Sequence, residues 1–190
     1  MRSFGSALAV LLLVVGLAAL GYAQWTRAVD EGDDAMAAGQ LDRALASYAI
    51  VEARFDRLPA ARQLFAADYE HAVANELSAR YRLGRFDEVI ERAEHAPDSA
   101  APHFWSGCAF FQKAIAEEKP DARLGWLSRA EDELHKAVEA TPEDWDTKYD
   151  FELTTRLAAE LRKQPKTPPK QLMQLLRPPT PAAKPVKRVG

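Results

Sequence analysis

Two segments of the chain, 45 residues apart, are written in nearly the same pattern. Residues 38–48 read AGQLDRALASY, and residues 83–93 read LGRFDEVIERA. Each has a small or apolar residue, a glycine, one intervening residue, an apolar residue and Asp, followed by a run at helical spacing. A pattern repeated at such a period is typical of units that stack on their own copies, because no single unit hides its apolar face. This repeat constrains the fold more than the overall composition does.

The central part of the chain has the hydrophobic spacing of helices. No stretch alternates apolar and polar residues, and no Asn-Gly or Asp-Gly hairpin turn occurs. Short separators at residues 38–40, 83–85 and 97–99 predict antiparallel helix pairs. The predicted fold class is therefore all-α. The helical spacing is clearest in three runs, which are Leu41, Ala44, Leu45, Tyr48 and Val51; Phe86, Val89, Ile90 and Ala93; and Ala130, Leu134, Ala137 and Val138.

The N-terminal segment has the composition of a membrane-spanning helix. Residues 4–23 carry no charge, and about 20 such residues span the ~30 Å hydrocarbon core of a bilayer. Arg2 precedes the run, whereas Trp25, Arg27 and several acids follow it. This order predicts a single-pass anchor in a bacterial inner membrane, with the N-terminus cytoplasmic and the body periplasmic. The alternative is a signal peptide cleaved after Ala23, which would leave a soluble periplasmic protein.

Charge is distributed unevenly along the chain. All 28 acidic residues lie between Asp30 and Glu160, so residues 24–163 carry 18 basic against 28 acidic side chains, a net charge of −10. Residues 164–190 hold six basic residues, no acid and seven of the twelve prolines, a composition typical of disorder. The expected organisation is an anchor or signal segment at 1–24, a helical-repeat domain at 25–163 and a basic, proline-rich disordered tail at 164–190.

The repeated pattern resembles a tetratricopeptide (TPR) repeat, in which two antiparallel helices approach closely at small residues. In the first copy Gly32 stands where the first helix is small, Gly39 at the turn, Ala44 where the second helix is small, and Tyr48 at the large position. The resemblance covers residues 26–160. It implies a TPR-like α-solenoid of about three helical hairpins plus a capping helix, with a concave surface that holds a peptide or another domain.

The second and third copies depart from the pattern. The second has Gly84 at its turn, but Leu77 stands where a small residue is usual and Ala93 where an aromatic is usual. In the third copy, about ten extra residues around 117–124 are expected to separate the helix that contains Gly107 from its second helix.

The segment after the third copy predicts one more helix. Residues 142–153 read PEDWDTKYDFEL, in which Asp144 or Asp146 can cap a helix that ends near Lys163. We expect one stripe of this helix to seal the open end of the stack. The stripe consists of Trp145, Tyr149, Leu153 and Arg156.

The phrase KYDFEL at 148–153 is similar to the ending of small membrane-tethered TPR proteins that are encoded beside MoxR-type AAA ATPases and von Willebrand A domain proteins. The short MxaK-type proteins of methanol-oxidation clusters share this size, N-terminal segment and ending. The resemblance implies a non-catalytic adaptor that assists maturation or metal insertion of a periplasmic dehydrogenase, of the methanol dehydrogenase type, through protein partners and without nucleic acid. The alternative is a generic periplasmic TPR scaffold in cell-envelope assembly.

The sequence offers no recognisable catalytic or metal-binding motif. The four histidines are scattered without a metal-binding spacing. Cys108 is the only cysteine, which excludes an intrachain disulfide, and we expect it to be a small core residue. The acidic cluster at 30–34 suits the first turn of a helix better than a calcium loop. We therefore expect no enzymatic activity, cofactor or bound metal; a hydrolase or metal carrier is the alternative class.

Several residues are predicted to contact a partner. The arginines near residues 80–92 either bind carboxylates of a partner or pair with neighbouring Glu residues. The aromatic cluster near 104–111 indicates core packing, with one or two rings open to a partner. The predicted partner-binding residues are Arg80, Arg82, Arg85, Trp105, Lys148 and Tyr149.

Overall fold

A computed structural model of the chain describes the backbone of residues 2–163 and the side chains of residues 11–17 and 19–163. The predicted disordered tail at 164–190 lies outside the described residues. All regular secondary structure within 2–163 is helical, which confirms the all-α class. The helices are α1 (Arg2–Ala37), α2 (Leu41–Arg57), α3 (Pro59–Leu64), α4 (Ala66–Arg82), α5 (Phe86–Glu94), α6 (Ala100–Ala116), α7 (Pro120–Ala140) and α8 (Trp145–Lys163).

Helix α1 runs without a break from the apolar N-terminal run into the body, since no proline occurs before Pro59. It is long and apolar enough to cross a membrane by length and composition, a test that an N-terminal signal sequence also passes. Its side chains at 19–24 are exposed, and full burial begins at Thr26. The expectation that the acidic cluster at 30–34 forms the first turn of a helix is wrong, because these residues lie near the C-terminal end of α1.

Apart from the short α3, each helix packs on the next helix along the chain. Alternate helices also contact one another. Helix α1 packs on α2, α2 on α4, α4 on α5, α5 on α6, α6 on α7 and α7 on α8. In addition α1 contacts α4, α4 contacts α6, and α6 contacts α8. These four helices, α1, α4, α6 and α8, therefore lie side by side, and we call them the inner row. The short helix α3 contacts only α2 and α4 among the described helices.

Both repeat glycines lie at the turns that the sequence predicts. Gly39 and Gly84 have φ of +72°, a left-handed conformation that residues with a Cβ atom rarely adopt. At the first turn the backbone N–H of Gln40 donates to the carbonyl oxygen of Ala35 at 2.8 Å. This bond satisfies a carbonyl group that the end of α1 would leave free.

Two glycines inside helices allow close helix packing. A Cβ atom at Gly32 of α1 would lie 2.5 Å from Cε1 of Tyr48 on α2. A Cβ atom at Gly107 of α6 would lie 2.7 Å from Cγ of Leu134 on α7. Both distances are shorter than van der Waals contact, so only glycine fits at these two positions. The sequence marks Gly32 as a small position and Tyr48 as a large one, and the structure places the two against each other.

The expected insertion between the two helices of the third pair is wrong. Only residues 117–119 connect α6 to α7. The other residues lengthen α7, which has 21 residues and begins at Pro120. Proline is favourable in the first turn of a helix, where its missing N–H has no partner to lose. Pro120 therefore starts a helix at a place where the sequence suggests an interruption.

Acidic side chains join neighbouring helices. Asp33 of α1 accepts hydrogen bonds from the Tyr48 hydroxyl of α2 at 2.7 Å and from the Asn75 amide of α4 at 2.9 Å. Glu76 of α4, with a side chain only 3% exposed, accepts a hydrogen bond from Arg92 of α5 at 2.9 Å. Burying a carboxylate without such partners would destabilise the fold. These bonds therefore favour the helix arrangement that provides the partners.

Candidate functional site

Helix α8 exposes two large aromatic side chains. Trp145 is 76% exposed and Tyr149 is 66% exposed, and Leu153 continues the same stripe. The Lys148 ammonium lies 4.7 Å from the centroid of the Trp145 ring. We call these four residues the α8 face. The expectation that this stripe seals the stack is wrong, because Trp145 and Tyr149 are largely exposed to solvent.

The opposite side of α8 explains this orientation. The buried side chains of α8 are those of Thr147, Thr154 and Ala158, which are small and allow close packing on the neighbouring helices. The predicted cap is confirmed at Asp144, whose carboxylate accepts the backbone N–H of Asp146 at 3.0 Å and the Thr147 hydroxyl at 2.7 Å. The cap fixes where α8 begins, and the small residues fix which side is buried.

A cavity of about 130 Å³ lies beside the α8 face, between helices of the inner row. Leu153 belongs to both the cavity wall and the α8 face. The Gln112 amide donates a hydrogen bond to the Tyr81 hydroxyl at 3.0 Å, and the Cys108 sulfur lies 3.9 Å from Oδ2 of Asp150. The cavity is lined by Tyr81, Cys108, Phe111, Gln112, Leu134, Asp150, Leu153 and Thr154.

The electrostatics of the cavity disfavour a reactive thiol. Burial and the neighbouring Asp150 carboxylate raise the pKa of the Cys108 thiol to about 12. Burial also raises the pKa of Asp150. Because the thiolate is the nucleophilic form, the raised pKa of the thiol disfavours Cys108 as a nucleophile. The cavity is suited to receiving an apolar or amide-bearing side chain, through its rings and its Gln112 and Asp150 groups.

Three of the four neighbouring arginines bind carboxylates of the protein itself. Arg80 pairs with Glu76 at 2.6 Å and with Glu88 at 2.7 Å. Arg85 pairs with Asp42 of α2 at 2.7 Å, and Arg92 is the buried partner of Glu76. The exposed Arg82 has no ion pair within the described residues. A partner carboxylate at this place remains a prediction, with Arg82 as the available guanidinium.

Trp105 is half-buried and packs against two other aromatic rings. Its ring centroid lies 5.3 Å from that of Tyr81 and 5.1 Å from that of Phe104. The side chain is only partly buried against the main core. Tyr81 also lines the cavity, so Trp105 packs against one residue of the cavity wall. Its predicted contact with a partner is untested.

A second polar cluster joins α6 to α7. His103 lies between two carboxylates, 2.7 Å from Glu133 and 2.8 Å from Asp98. Burial lowers the pKa of His103, but the hydrogen bonds with Glu133 and Asp98 outweigh burial and raise it above its usual value. Burial raises the pKa of Glu133, but the hydrogen bonds from Lys136 and His103 outweigh burial and lower it. Both shifts indicate that the charged pair is favoured in the folded state.

This pair predicts a pH dependence of stability. The contribution of the raised His103 pKa is complete below the unfolded pKa of His, and it is lost as pH rises through the folded pKa. The contribution of the lowered Glu133 pKa is present above the unfolded pKa of Glu, and it is lost as pH falls through the folded pKa. The His103→Gln variant should therefore lose most stability, relative to the wild type, between about pH 4.3 and about pH 6.5.

The measurement is urea unfolding of the full-length protein in detergent micelles at a series of pH values. The matched control is His135→Gln, because His135 is more exposed and lies 3.8 Å from its only ion-pair partner among the described residues, Glu139. The control should cost less stability than His103→Gln, because exposed ion pairs contribute little. A His103→Gln difference that does not vary with pH would contradict the charged pair.

Sequence reasoning missed the cavity residues Tyr81, Gln112 and Asp150. These residues come from three different helices, α4, α6 and α8, so no local sequence pattern brings them together. Within the described residues no group of three or more His, Cys, Asp or Glu side chains has the arrangement of a metal site. No protein-family model, curated protein or solved structure matches this chain.

Proposed function

We propose that this chain is a membrane-tethered, non-catalytic adaptor with a TPR-like solenoid body. The packing supports this proposal, because stacked helical hairpins bring every second helix into contact, as in the inner row. The hairpins are α1 with α2, α4 with α5 and α6 with α7, and α8 is the capping helix. The uncovered apolar part of α1 is the tether, with the N-terminus in the cytoplasm and the body in the periplasm.

The observation that carries the proposal is the α8 face beside its cavity. Trp and Tyr side chains dominate the binding energy of protein interfaces, and leaving Trp145 and Tyr149 in water has a hydrophobic cost that a bound partner would remove. The Lys148 ammonium beside Trp145 adds a positive charge at the edge of the patch. We propose that this face binds a protein partner.

The class of partner follows from the resemblance of the KYDFEL phrase at 148–153. Four residues of this phrase lie on the α8 face or line the cavity, namely Lys148, Tyr149, Asp150 and Leu153. We propose that the partner is a von Willebrand A domain protein, a MoxR-associated protein or the periplasmic dehydrogenase itself. The adaptor would then assist maturation or metal insertion of a dehydrogenase of the methanol dehydrogenase type.

The test uses a photo-crosslinking amino acid at position 149 in cells of the source organism. We expect adducts with a protein of this system, identified by mass spectrometry. With the purified partner, Trp145→Ala or Tyr149→Ala should each weaken binding by roughly 30-fold, since truncating a hot-spot aromatic costs about 2 kcal/mol. Stability should stay within about 0.5 kcal/mol, because both rings are exposed.

The matched control is Ile50→Ala, which truncates an exposed apolar side chain on α2, away from the α8 face. Its affinity should equal that of the wild type. Adducts with cell-envelope assembly proteins would instead favour the generic scaffold. Unchanged affinity of both aromatic variants would exclude the α8 face as the binding site.

A further inference from the structure

The connection between α2 and α4 leaves apolar side chains in water. Residues 58–65, which we call the α3 segment, include the whole of helix α3. Leu58 is 56% exposed and Leu64 is 76% exposed, and no residue of α3 is buried. Within the described residues, α3 contacts only α2 and α4. These two leucines therefore have little protein cover, whereas Ala61 and Phe65 of the same segment pack against the core.

The α3 segment lies at the point where α1 leaves the helical body. The ring centroid of Phe65 is 5.7 Å from that of Tyr22 and 5.8 Å from that of Trp25. Leu64 and Phe65 line an open groove with Gly21, Tyr22 and Trp25 of α1. Immediately before these residues in α1 come the exposed apolar side chains up to Leu20. Leu20 precedes Tyr22 by two residues, or about 3 Å along a helix.

This position matches the boundary of a bilayer. Trp and Tyr side chains are enriched at the membrane–water interface, and Tyr22 and Trp25 follow the apolar run at that level. If α1 spans the membrane, the same plane passes through Phe65 and the exposed leucines beside it. Arg57, the last residue of α2, and Arg62 of α3 are basic residues of this region, and Arg62 pairs with Asp56 of α2.

We propose that the α3 segment is a second membrane contact, with Leu58 and Leu64 buried among phospholipid headgroups and upper acyl chains next to the tether. This proposal rests on the membrane tether of the proposed function. A short apolar element lying in the interface, together with a spanning helix, fixes the body at two points. The body then has one preferred face toward the membrane, and the α8 face is held in a constant orientation.

The test measures the depth of a fluorophore in vesicles of phosphatidylcholine and phosphatidylglycerol. The full-length Cys108→Ala protein is reconstituted with Leu64→Cys and labelled with an environment-sensitive dye. We expect blue-shifted emission that doxyl-labelled lipid quenches. The matched control is Ile115→Cys, because Ile115 is 57% exposed and lies on α6, which contacts neither α1 nor α3. The dye at position 115 should show the emission maximum of a water-exposed dye, and doxyl-labelled lipid should not quench it.

A third label, at Val14→Cys, distinguishes failure of the second membrane contact from failure of the membrane tether. Val14 lies in the exposed apolar part of α1. Quenching at 14 without quenching at 64 would overturn the second contact while leaving the tether intact. Absence of quenching at both positions would overturn the tether itself. Blue-shifted emission at 64 that lipid-borne doxyl does not quench would assign the leucines to a protein surface, such as a second copy, and would also overturn the proposal.

Discussion

Replacing Glu76 with Gln is expected to lower the free energy of unfolding by about 3 kcal/mol, because the change leaves a buried charge without its main partner. The Arg92 side chain is only 9% exposed and lies 2.9 Å from Glu76, whereas its other carboxylate, Glu52, is 3.4 Å away. Gln has nearly the volume of Glu, so the decrease in the free energy of unfolding measures the effect of the lost charge and not of altered packing. The measurement is urea unfolding of the full-length protein in detergent micelles, followed by circular dichroism.

The control for this prediction is Glu88→Gln. Glu88 is the other partner of Arg80, but its side chain is 47% exposed, and exposed ion pairs contribute at most about 1 kcal/mol. Adding Arg92→Met to Glu76→Gln removes the unpaired charge and should restore much of the lost stability. Equal losses for Glu76→Gln and Glu88→Gln would show that the buried pair has no special role.

Replacing Gly107 with Val is expected to destabilise the protein by about 3 kcal/mol, at the upper end of the usual cost of overpacking a core. The new Cβ would lie 2.7 Å from Cγ of Leu134 and 3.2 Å from the Leu134 backbone nitrogen. Because a backbone atom cannot rotate away, α6 and α7 must separate. Urea unfolding under the same conditions measures the loss.

Gly125→Ala is the matched control for the substitution of a helical glycine. A Cβ atom at Gly125 of α7 has no neighbour within 4 Å, so the better helix propensity of Ala should raise stability by about 0.5–1 kcal/mol. Combining Gly107→Val with Leu134→Ala should cost less than the sum of the two single changes, since the smaller side chain makes room. If the losses of stability of the two single variants simply add in the double variant, the strain caused by Gly107→Val does not come from contact with the Leu134 side chain.

Features that depend on the backbone conformation of one residue were predictable from the sequence. Gly39 and Gly84 occupy turns that require φ above zero, and few other residues adopt that conformation. The small Gly32 and the large Tyr48 were each recognisable from the repeat pattern, but their contact with each other was not predicted from the sequence. Pro120 was misjudged because proline both starts and interrupts helices, and only the packing of α7 decides between these outcomes.

The orientation of α8 could not be predicted from periodicity alone. Trp145 and Tyr149 are four residues apart, a spacing that fits a buried apolar stripe as well as an exposed binding face. The deciding residues are on the opposite side, where Thr147, Thr154 and Ala158 are small enough to lie against the neighbouring helices. The acidic cluster at 30–34 was misplaced because its composition matches the start of a helix, whereas Asp33 in fact binds side chains of α2 and α4.

The continuity of α1 has a mechanical consequence. A helix of 36 residues is about 54 Å long, and its far end is already built into the first hairpin. In the proposed membrane arrangement, no flexible linker joins the membrane-spanning part of α1 to the first hairpin, because both belong to one unbroken helix. A tilt of α1 in the bilayer would therefore tilt the whole helical body with it.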